Sequence, residues 1–585
     1  MIHSPLWLLI GAVLAGGGAP VAGEVPSLDA ETLDGAVQRG IFALLDRIEV
    51  ECFVRFRNRP GRRPRFIEIT GRLIEERATH VLLRLSDGSE QRIERDDILV
   101  MRQRGLVQPD MGEPHNGGPS ALIAFALLSA DVSPRQSPLS ALLATLEEHP
   151  LPGTYSRALR AAAWARCVER AGHARERSHY QRLLNIDVAW LAQAARPNGY
   201  YSYVRDGDAH EDNSVTQFAN LAMAAAAEAW AEVPPRYWEA VEHHWLSLQL
   251  PNGGWSYNDD NKQPRPSMTV AGANSLYLVL DHLYPRLERP YRRLEGARVF
   301  DSVQQKRARV FEALRRADAA LAADPPAIRD WHGYNLFGLE RLGIASGRID
   351  IGGRDWFMSY APELIGREWG GDAIADSFAL IFLVFGRAPI WIQQLDWGGR
   401  SMERQRNGRA LHFLTKYLSR TFEKPHRWRW IPEDAELSAL EASPILYIAG
   451  DEALSLSSAS QERLRAYLDR GGALFLHADL ADKRFVESAT AMFERMYREQ
   501  GWRFRQLPGD HKLFSCYYGR EGGWKSPPPL WGLSDGQRER ILLCPVDIAG
   551  AWHQNLMRFH PDLFQLMVNV RVYLAPSYRA LRARP

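Results

Sequence analysis

The stretch from Trp245 to Leu280, WLSLQLPNGGWSYNDDNKQPRPSMTVAGANSLYLVL, constrains the fold more than any other part of the chain. It reads as a helix ending at Leu250, a turn at Pro251-Asn252-Gly253-Gly254, an aromatic strip from Trp255 to Tyr257, a polar loop, and a second helix from about Ser267. Such a helical hairpin buries its apolar face only against copies of itself, so repeats are expected. A second copy places Trp190 to Gln193 before Asn198-Gly199-Tyr200-Tyr201-Ser202-Tyr203. Gln193 and Gln249 lie 56 positions apart, a span that suits one two-helix repeat with its loops. A degenerate copy runs from Asp355-Trp356 to Trp369-Gly370-Gly371, and Gly117-Gly118 marks an earlier turn.

Periodicity predicts helices over 119–130, 137–148, 154–172, 177–195, 214–231, 235–250, 268–283, 303–322, 331–343, 355–366 and 374–386. Ahead of them, Leu33 to Arg47 is a first helix. Between these regions the pattern changes to alternation, with strands expected at Cys52–Arg57, Ile67–Ile74, Val81–Leu85 and Gln91–Ile93. Asp87-Gly88 is a hairpin signal between two of them. The basic loop from Arg59 to Arg65 is either a solvated tip or a contact for an anionic partner. Beyond Pro389 short apolar runs alternate with helices: Ile390–Leu395, Trp428–Ile431, Ile445–Ala449, Ala473–His477, Arg503–Gln506 and Ile541–Cys544. That alternation predicts a parallel α/β sheet.

The boundaries read from these shifts are 1–23 (signal peptide), 24–49 (first helix of the repeat region), 50–112 (small β module, SH3-like or Sm-like), 113–389 (helical repeats) and 390–585 (α/β domain). Leu6 to Leu14 is too short to span a bilayer and suits a signal-peptide core. Val21-Ala22-Gly23 offers small residues for cleavage. The expected location is therefore the periplasm or cell envelope, with a buried first helix or a retained anchor as the alternatives. A net charge of +2 gives no field that argues for nucleic acid. Four dispersed cysteines without a CxxC pair exclude a zinc cluster of the usual spacing, and no cofactor or metal is expected. Cys516 and Cys544 either pair after export or stay as buried thiols.

Gln249, Gly253, Gly254 and Trp255, followed by Ser267-Met268-Thr269 at the next helix start, resemble the prenyltransferase and squalene-cyclase repeat. The resemblance implies an α/α toroid of inner and outer helices, with Gln193, Gln249, Gly253, Gly254, Trp255 and Trp369 as structural repeat residues. Ser443 to Gly450, Leu468 to Phe475 and Leu507 to Phe514 resemble the bacterial domain-of-unknown-function family four-one-five-nine. That likeness implies a flavodoxin-like or glutamine-amidotransferase-like outline and carries no established activity.

The densest polar cluster is Asp206-Gly207-Asp208-Ala209-His210-Glu211-Asp212-Asn213-Ser214. Laid on the Asp-x-Asp-Asp motif of class II terpene cyclases, it keeps only the central acid, Asp212. A carboxylic acid held neutral there is a proton donor; the competing reading is a helix cap. Zinc-dependent prenyl transfer has only Cys167 to draw on, with no matching Asp and His. Asn258 to Asn261 is either a solvated loop or an oxygen-rich Ca²⁺ loop of irregular spacing.

In the C-terminal domain no cysteine stands on a strand-to-helix elbow, which disfavours an amidotransferase. His477, Asp479, Asp510, His511 and Asp547 fall near strand ends, where open α/β sheets place ligands. The expectation is a binding or interaction protein on a degenerate cyclase-like toroid. Its binding residues are Tyr201, Tyr203, Asp208, Glu211, Trp255, Tyr257, His477, Asp479 and His511, and its partner is a protein, a glycan or an apolar small molecule. The alternatives are a cyclase-like enzyme using Asp212, and a hydrolase or carbohydrate-active enzyme centred on the C-terminal domain.

Overall fold

The structure is a computed structural model that describes residues 29–58, 65–107, 115–206, 211–287, 297–327, 332–399, 402–403, 405–519 and 527–575. The leader, the basic loop from Arg59 to Pro64, and Asp208 and His210 lie outside the described residues. The chain is multidomain, with an N-terminal antiparallel sheet, a helical middle and a C-terminal mixed α/β sheet.

Helix α1 (Ala30–Asp46) leads into five strands: β1 (Ile48–Asn58), β2 (Arg65–Glu76), β3 (His80–Arg84), β4 (Glu90–Glu94) and β5 (Ile98–Val107). Their order is β4-β3-β2-β1-β5, antiparallel throughout. Val50, Cys52, Val54 and Phe56 alternate onto one face of β1 and bury against Val81, Leu83, Ile93 and Ala141. Strand β5 is absent from the sequence expectation. Most of its side chains are exposed or half-buried, so no apolar alternation marks it. Gly105 lets it approach helix α3 (Leu139–Glu148), where a Cβ would stand 2.4 Å from the Leu142 amide nitrogen.

The other helices of the middle region are α2 (Gly118–Ser129), α4 (Thr154–Arg170), α5 (Ala174–Ala194), α6 (Asn213–Glu228), α7 (Pro235–Ser247), α8 (Pro266–His282), α9 (Ala297–Ala323), α10 (His332–Ser346), α11 (Ala361–Gly366) and α12 (Ala373–Gly386). Helices α2, α4, α6, α8, α10 and α12 pack on one another in succession, and α12 packs back on α2. Helices α1, α3, α5, α7, α9 and α11 pack against the outside of this circuit. The division follows composition. Helices α2, α8 and α12 are apolar or small on nearly every face and are buried all round, whereas α5 and α7 bury a single stripe. The helix expected over 355–366 begins only at Ala361, because Gly352 and Gly353 take positive φ and turn a two-residue hairpin before it.

The turns define the repeat. Gly199 and Gly253 both sit at positive φ and donate to Arg196 O and Leu250 O at 2.9 Å. Arg196 N and Leu250 N in turn donate to Tyr200 O and Gly254 O. These equivalences are 54 positions apart, which places Ala195, and not Gln193, opposite Gln249. Gln249 clamps Gly253 O and Ala313 O at 2.8 Å, while Gln193 accepts, among the described residues, from Arg205 alone. Trp255 is fully buried, donates to Trp245 O at 2.8 Å, and lies flat on Gly272 of α8. Trp369 uses Gly40 of α1 in the same way. A Cβ on Gly272 would stand 2.6 Å from the Trp255 ring. Gly272→Ala is therefore expected to cost about 1–3 kcal/mol by overpacking, read as a lower urea midpoint at unchanged m-value.

The C-terminal elements are β6 (Ile390–Asp396), α13 (Ala410–Thr421), β7 (Arg427–Pro432), β8 (Ile445–Gly450), α14 (Ser458–Asp469), β9 (Ala473–Ala478), α15 (Lys483–Met496), β10 (Phe504–Gln506), β11 (Trp531–Ser534), β12 (Glu539–Cys544), α16 (Ala549–His553) and α17 (Pro561–Leu574). The sheet order is β10-β11-β12-β9-β8-β6-β7. Strands β7, β6, β8, β9 and β12 run parallel. The expected all-parallel sheet is corrected near one edge, where β11 alone is reversed and pairs antiparallel with both β12 and β10, because the Asp535-Gly536 turn folds β11 directly onto β12. All four cysteines are free thiols, so Cys516 and Cys544 do not pair. Cys544 Sγ points to Val546 O and Cys516 Sγ to Asn569 O.

Candidate functional site

Two clusters of polar side chains stand out. The first gathers at the N-terminal ends of α4, α6 and α10. Asp212 is the N-cap of α6: its Oδ1 accepts from Ser214 N at 2.7 Å and Val215 N at 3.0 Å. Its Oδ2 accepts from the Tyr203 hydroxyl at 2.6 Å. The Tyr257 hydroxyl lies 3.0 Å from that of Tyr203. Backbone pairing places both tyrosines. Thr154 N donates to Tyr203 O, and Asn213 donates through its backbone to Tyr257 O and through its side chain to Ser256 O. The Tyr155 hydroxyl meets Ser214 Oγ, and the Tyr334 hydroxyl donates to Gln217 Oε1 at 2.7 Å.

Burial pushes the Asp212 carboxyl above its ordinary range, although the Tyr203 and Tyr257 hydroxyls and two backbone amides favour its charged form. Burial and the Asp212 charge push the Tyr155 and Tyr257 hydroxyls up, so both stay neutral donors at pH 7. His115 completes the cluster. Its ring lies 5.9 Å from that of Tyr155 and 5.5 Å from that of Tyr203, and its buried Nε2 has no partner among the described residues. Aromatic rings from the circuit helices meet one another beside this cluster. Phe218 of α6 meets Phe378 of α12 at 6.2 Å and stacks on Phe337 of α10 at 5.7 Å, and Phe125 of α2 reaches Phe337.

The second cluster lies at the carboxyl ends of the central parallel strands. His477, near the end of β9, is fully buried. Its Nε2 accepts from Ile548 N at 3.1 Å and Ala549 N at 3.2 Å. Its Nδ1 therefore carries the proton, and it donates to Asp479 Oδ1 at 2.9 Å. Asn407 Nδ2 donates to Asp479 Oδ1 at 2.8 Å and to Asp547 Oδ1 at 3.3 Å. Asp547 also accepts from Gly550 N and from Leu480 N. Leu480 and Ala481 both adopt positive φ, and the Leu480 bond to Asp547 helps hold that turn. Cys544 pairs with His477 across the ladder, but burial pushes its thiol up to about 12, so it offers no thiolate nucleophile at neutral pH.

Residues 392–566, which carry this second cluster, match a domain of unknown function, DUF4159. The DUF4159 match spans the parallel strands from β6 onward and ends within α17, and no curated protein matches the chain.

The structure brings Tyr203, Tyr257 and Asp212 together, and in the DUF4159 domain His477, Asp479 and Asp547. It does not bring His511 to His477. His511 caps a short turn and faces Glu539 at the start of β12, whereas His477 pairs with Cys544 at that strand's far end. Tyr201 and Trp255 lie in the core, with the Tyr201 hydroxyl on that of Tyr237. Glu211 accepts from Asn198 at 3.4 Å beside the first cluster. His115, Tyr155, Tyr334, Asn407 and Tyr447 are absent from the sequence-based set of candidates. Each lies far along the chain from its partners, and no local motif marks it.

Proposed function

We propose that this chain is a ligand-binding protein whose helical middle is an α/α toroid and whose ligand occupies the toroid mouth at His115, Tyr155, Tyr203, Asp212, Tyr257 and Tyr334. On this reading the C-terminal domain is flavodoxin-like, and the apolar run Leu6–Leu14 directs export to the periplasm or cell envelope.

The observation that carries the reading is the buried, unpartnered Nε2 of His115 beside the half-buried Tyr155 and Tyr203. An orphaned ring nitrogen next to several tyrosine hydroxyls suits a polyhydroxylated ligand. Tyrosine faces pack on sugar C–H groups, and hydroxyls, imidazole and carboxylate exchange hydrogen bonds with sugar hydroxyls. A glycan is therefore the ligand class favoured over an apolar molecule or a protein. The Asp212 carboxylate is committed on both oxygens, and the rings of Phe218, Phe337 and Phe378 pack on one another across the circuit. Both features count against a polyene threaded past a free acid.

A glycan array probed with the full-length protein tests this. At least one bound glycan is expected, with affinity falling about tenfold in Tyr257→Phe and in His115→Ala, the scale of one or two lost hydrogen bonds. Glycan binding unchanged in both variants moves the site elsewhere. Conversion of squalene or geranylgeranyl diphosphate to a cyclic product, abolished by Asp212→Asn, replaces this reading with a cyclase.

A further inference from the structure

The strand-end cluster of the DUF4159 domain contains two carboxylates with no cationic partner. Asp479 and Asp547 approach each other closely enough for one amide nitrogen, Asn407 Nδ2, to bond both. Among the described residues neither forms an ion pair with a lysine or arginine; their titratable neighbours are His477, Tyr447 and, for Asp547, Cys544. His477 is neutral here, since its Nε2 accepts two backbone amides. Two carboxylates in one partly buried pocket repel each other unless something positive sits between them.

A second observation comes from Tyr447 on β8. Its ring stacks on His477 at 6.1 Å and 28°, and its hydroxyl is buried without a partner among the described residues. Burial, with the charges of Asp479 and Asp547 adding to it, pushes that hydroxyl well above its ordinary range, so it stays protonated. A buried hydroxyl left unsatisfied near two carboxylates is a group that an ion-bound water can satisfy.

We propose that Asp479 and Asp547 bind one divalent cation of the oxygen-preferring class, Mg²⁺, Mn²⁺ or Ca²⁺, at the carboxyl ends of β9 and β12. Their oxygens already converge on the place now taken by the Asn407 amide group. Rotating that amide by half a turn replaces its two donors with a third oxygen ligand, as the cation requires. The Tyr447 hydroxyl then hydrogen-bonds a cation-bound water. His477 is a positioning residue: its Nδ1–H fixes Asp479, and the amides of Ile548 and Ala549 fix its ring. Oxygen ligands and an imidazole with both nitrogens engaged select hard cations over zinc. Asp547 is the open side, with 23% of its side chain exposed, so the remaining coordination positions face solvent or an anionic ligand.

Titration of the full-length protein with Mn²⁺, followed by electron paramagnetic resonance, decides the matter, with Mg²⁺ and Ca²⁺ as competitors. The expected result is one bound Mn²⁺ per chain, displaced by Mg²⁺ or Ca²⁺. Affinity is expected to fall roughly tenfold or more in Asp547→Asn and in Tyr447→Phe. Asp547→Asn is nearly isosteric and half-exposed, so it keeps the test valid if Asp479→Asn fails to fold. Wild-type protein that takes up no Mn²⁺ overturns the site. So does an Asp547→Asn or Tyr447→Phe protein that binds as wild type does. Glycan binding at the toroid mouth is read separately, so either result stands without the other.

Discussion

Replacing Arg409 with methionine is expected to destabilise the protein by about 3–5 kcal/mol, because it strands a carboxylate in the interior. Arg409 precedes α13 and is 1% exposed. Its Nε donates to Asp281 Oδ1 at 2.6 Å, another guanidinium nitrogen donates to Ala345 O in the last turn of α10, and its backbone N–H donates to His553 Nδ1 at 3.2 Å. One side chain thus ties the ends of two circuit helices to the α/β domain. Burial raises the Asp281 carboxyl, but the Arg409 guanidinium, with His412 beside it at 3.1 Å, outweighs burial and holds it well below the ordinary range. Without Arg409 the buried carboxylate keeps only the weaker support of His412 and Lys416. The double variant Arg409→Met with Asp281→Leu removes both charges at similar volume, so most of the loss is expected to return. Urea unfolding of wild type, both single variants and the double variant measures this. Additive losses in the double variant would mean that packing of the stems, not the ion pair, joins the domains.

Legibility in the sequence tracked how local each feature is. The turn at Pro251 to Gly254 is readable because only glycine takes its positive φ cheaply, and the same backbone bonds recur at Arg196 to Tyr200. Helix positions follow from burial, since α2 and α12 are apolar on nearly every face and surface helices such as α5 carry one stripe. Gln193 misleads because residue identity alone put it opposite Gln249. The backbone register puts Ala195 there, and Gln193 faces Arg205 instead. Strand β11 escapes notice because it is four residues long with a glycine inside.

The sites divide in the same way. Asp212, Tyr203 and Tyr257 flank recognisable turns. Tyr155 meets Ser214 across 59 positions, and Asn407 meets Asp479 across 72, so only the folded chain assembles those contacts. Tyr447 lies in a strand buried along its whole length, where a sequence reading assigns it to the core.

Acid is expected to unfold this protein well before its carboxylates protonate. His244, His282 and His412 are all buried. Burial holds their rings at about 3, about 4 and about 4, in the last two cases against the pull of Glu228 or Asp281. Each is packed as a neutral ring. His244 donates to Asn213 Oδ1 at 2.8 Å with Tyr200 edge-on at 4.0 Å, and His282 stacks on Trp238 at 4.6 Å. An unfolded histidine titrates near 6.5, so between roughly pH 6.5 and pH 4 the unfolded chain binds protons that the folded chain refuses. Folded pKa values below the unfolded one mean that stability falls as pH falls, by about 1.4 kcal/mol per unit for each ring. Glu340 runs the other way: burial, opposed by Arg341, raises its carboxyl to about 7, so its folded form gains as pH falls through the same window. Asp281, with a depressed carboxyl, contributes nothing until pH drops below the ordinary carboxylate range. Two uncompensated rings leave a slope of roughly 3 kcal/mol per pH unit, enough to exhaust a typical stability within two or three units. Urea midpoints at pH 7.5, 6 and 5 measure the slope. His282→Phe, which keeps the stack on Trp238 and removes one titrating ring, should lower it by about 1.4 kcal/mol per unit. A flat profile from pH 7.5 to pH 5 would mean that these rings accept protons without unfolding, and that the interior around α8 admits water.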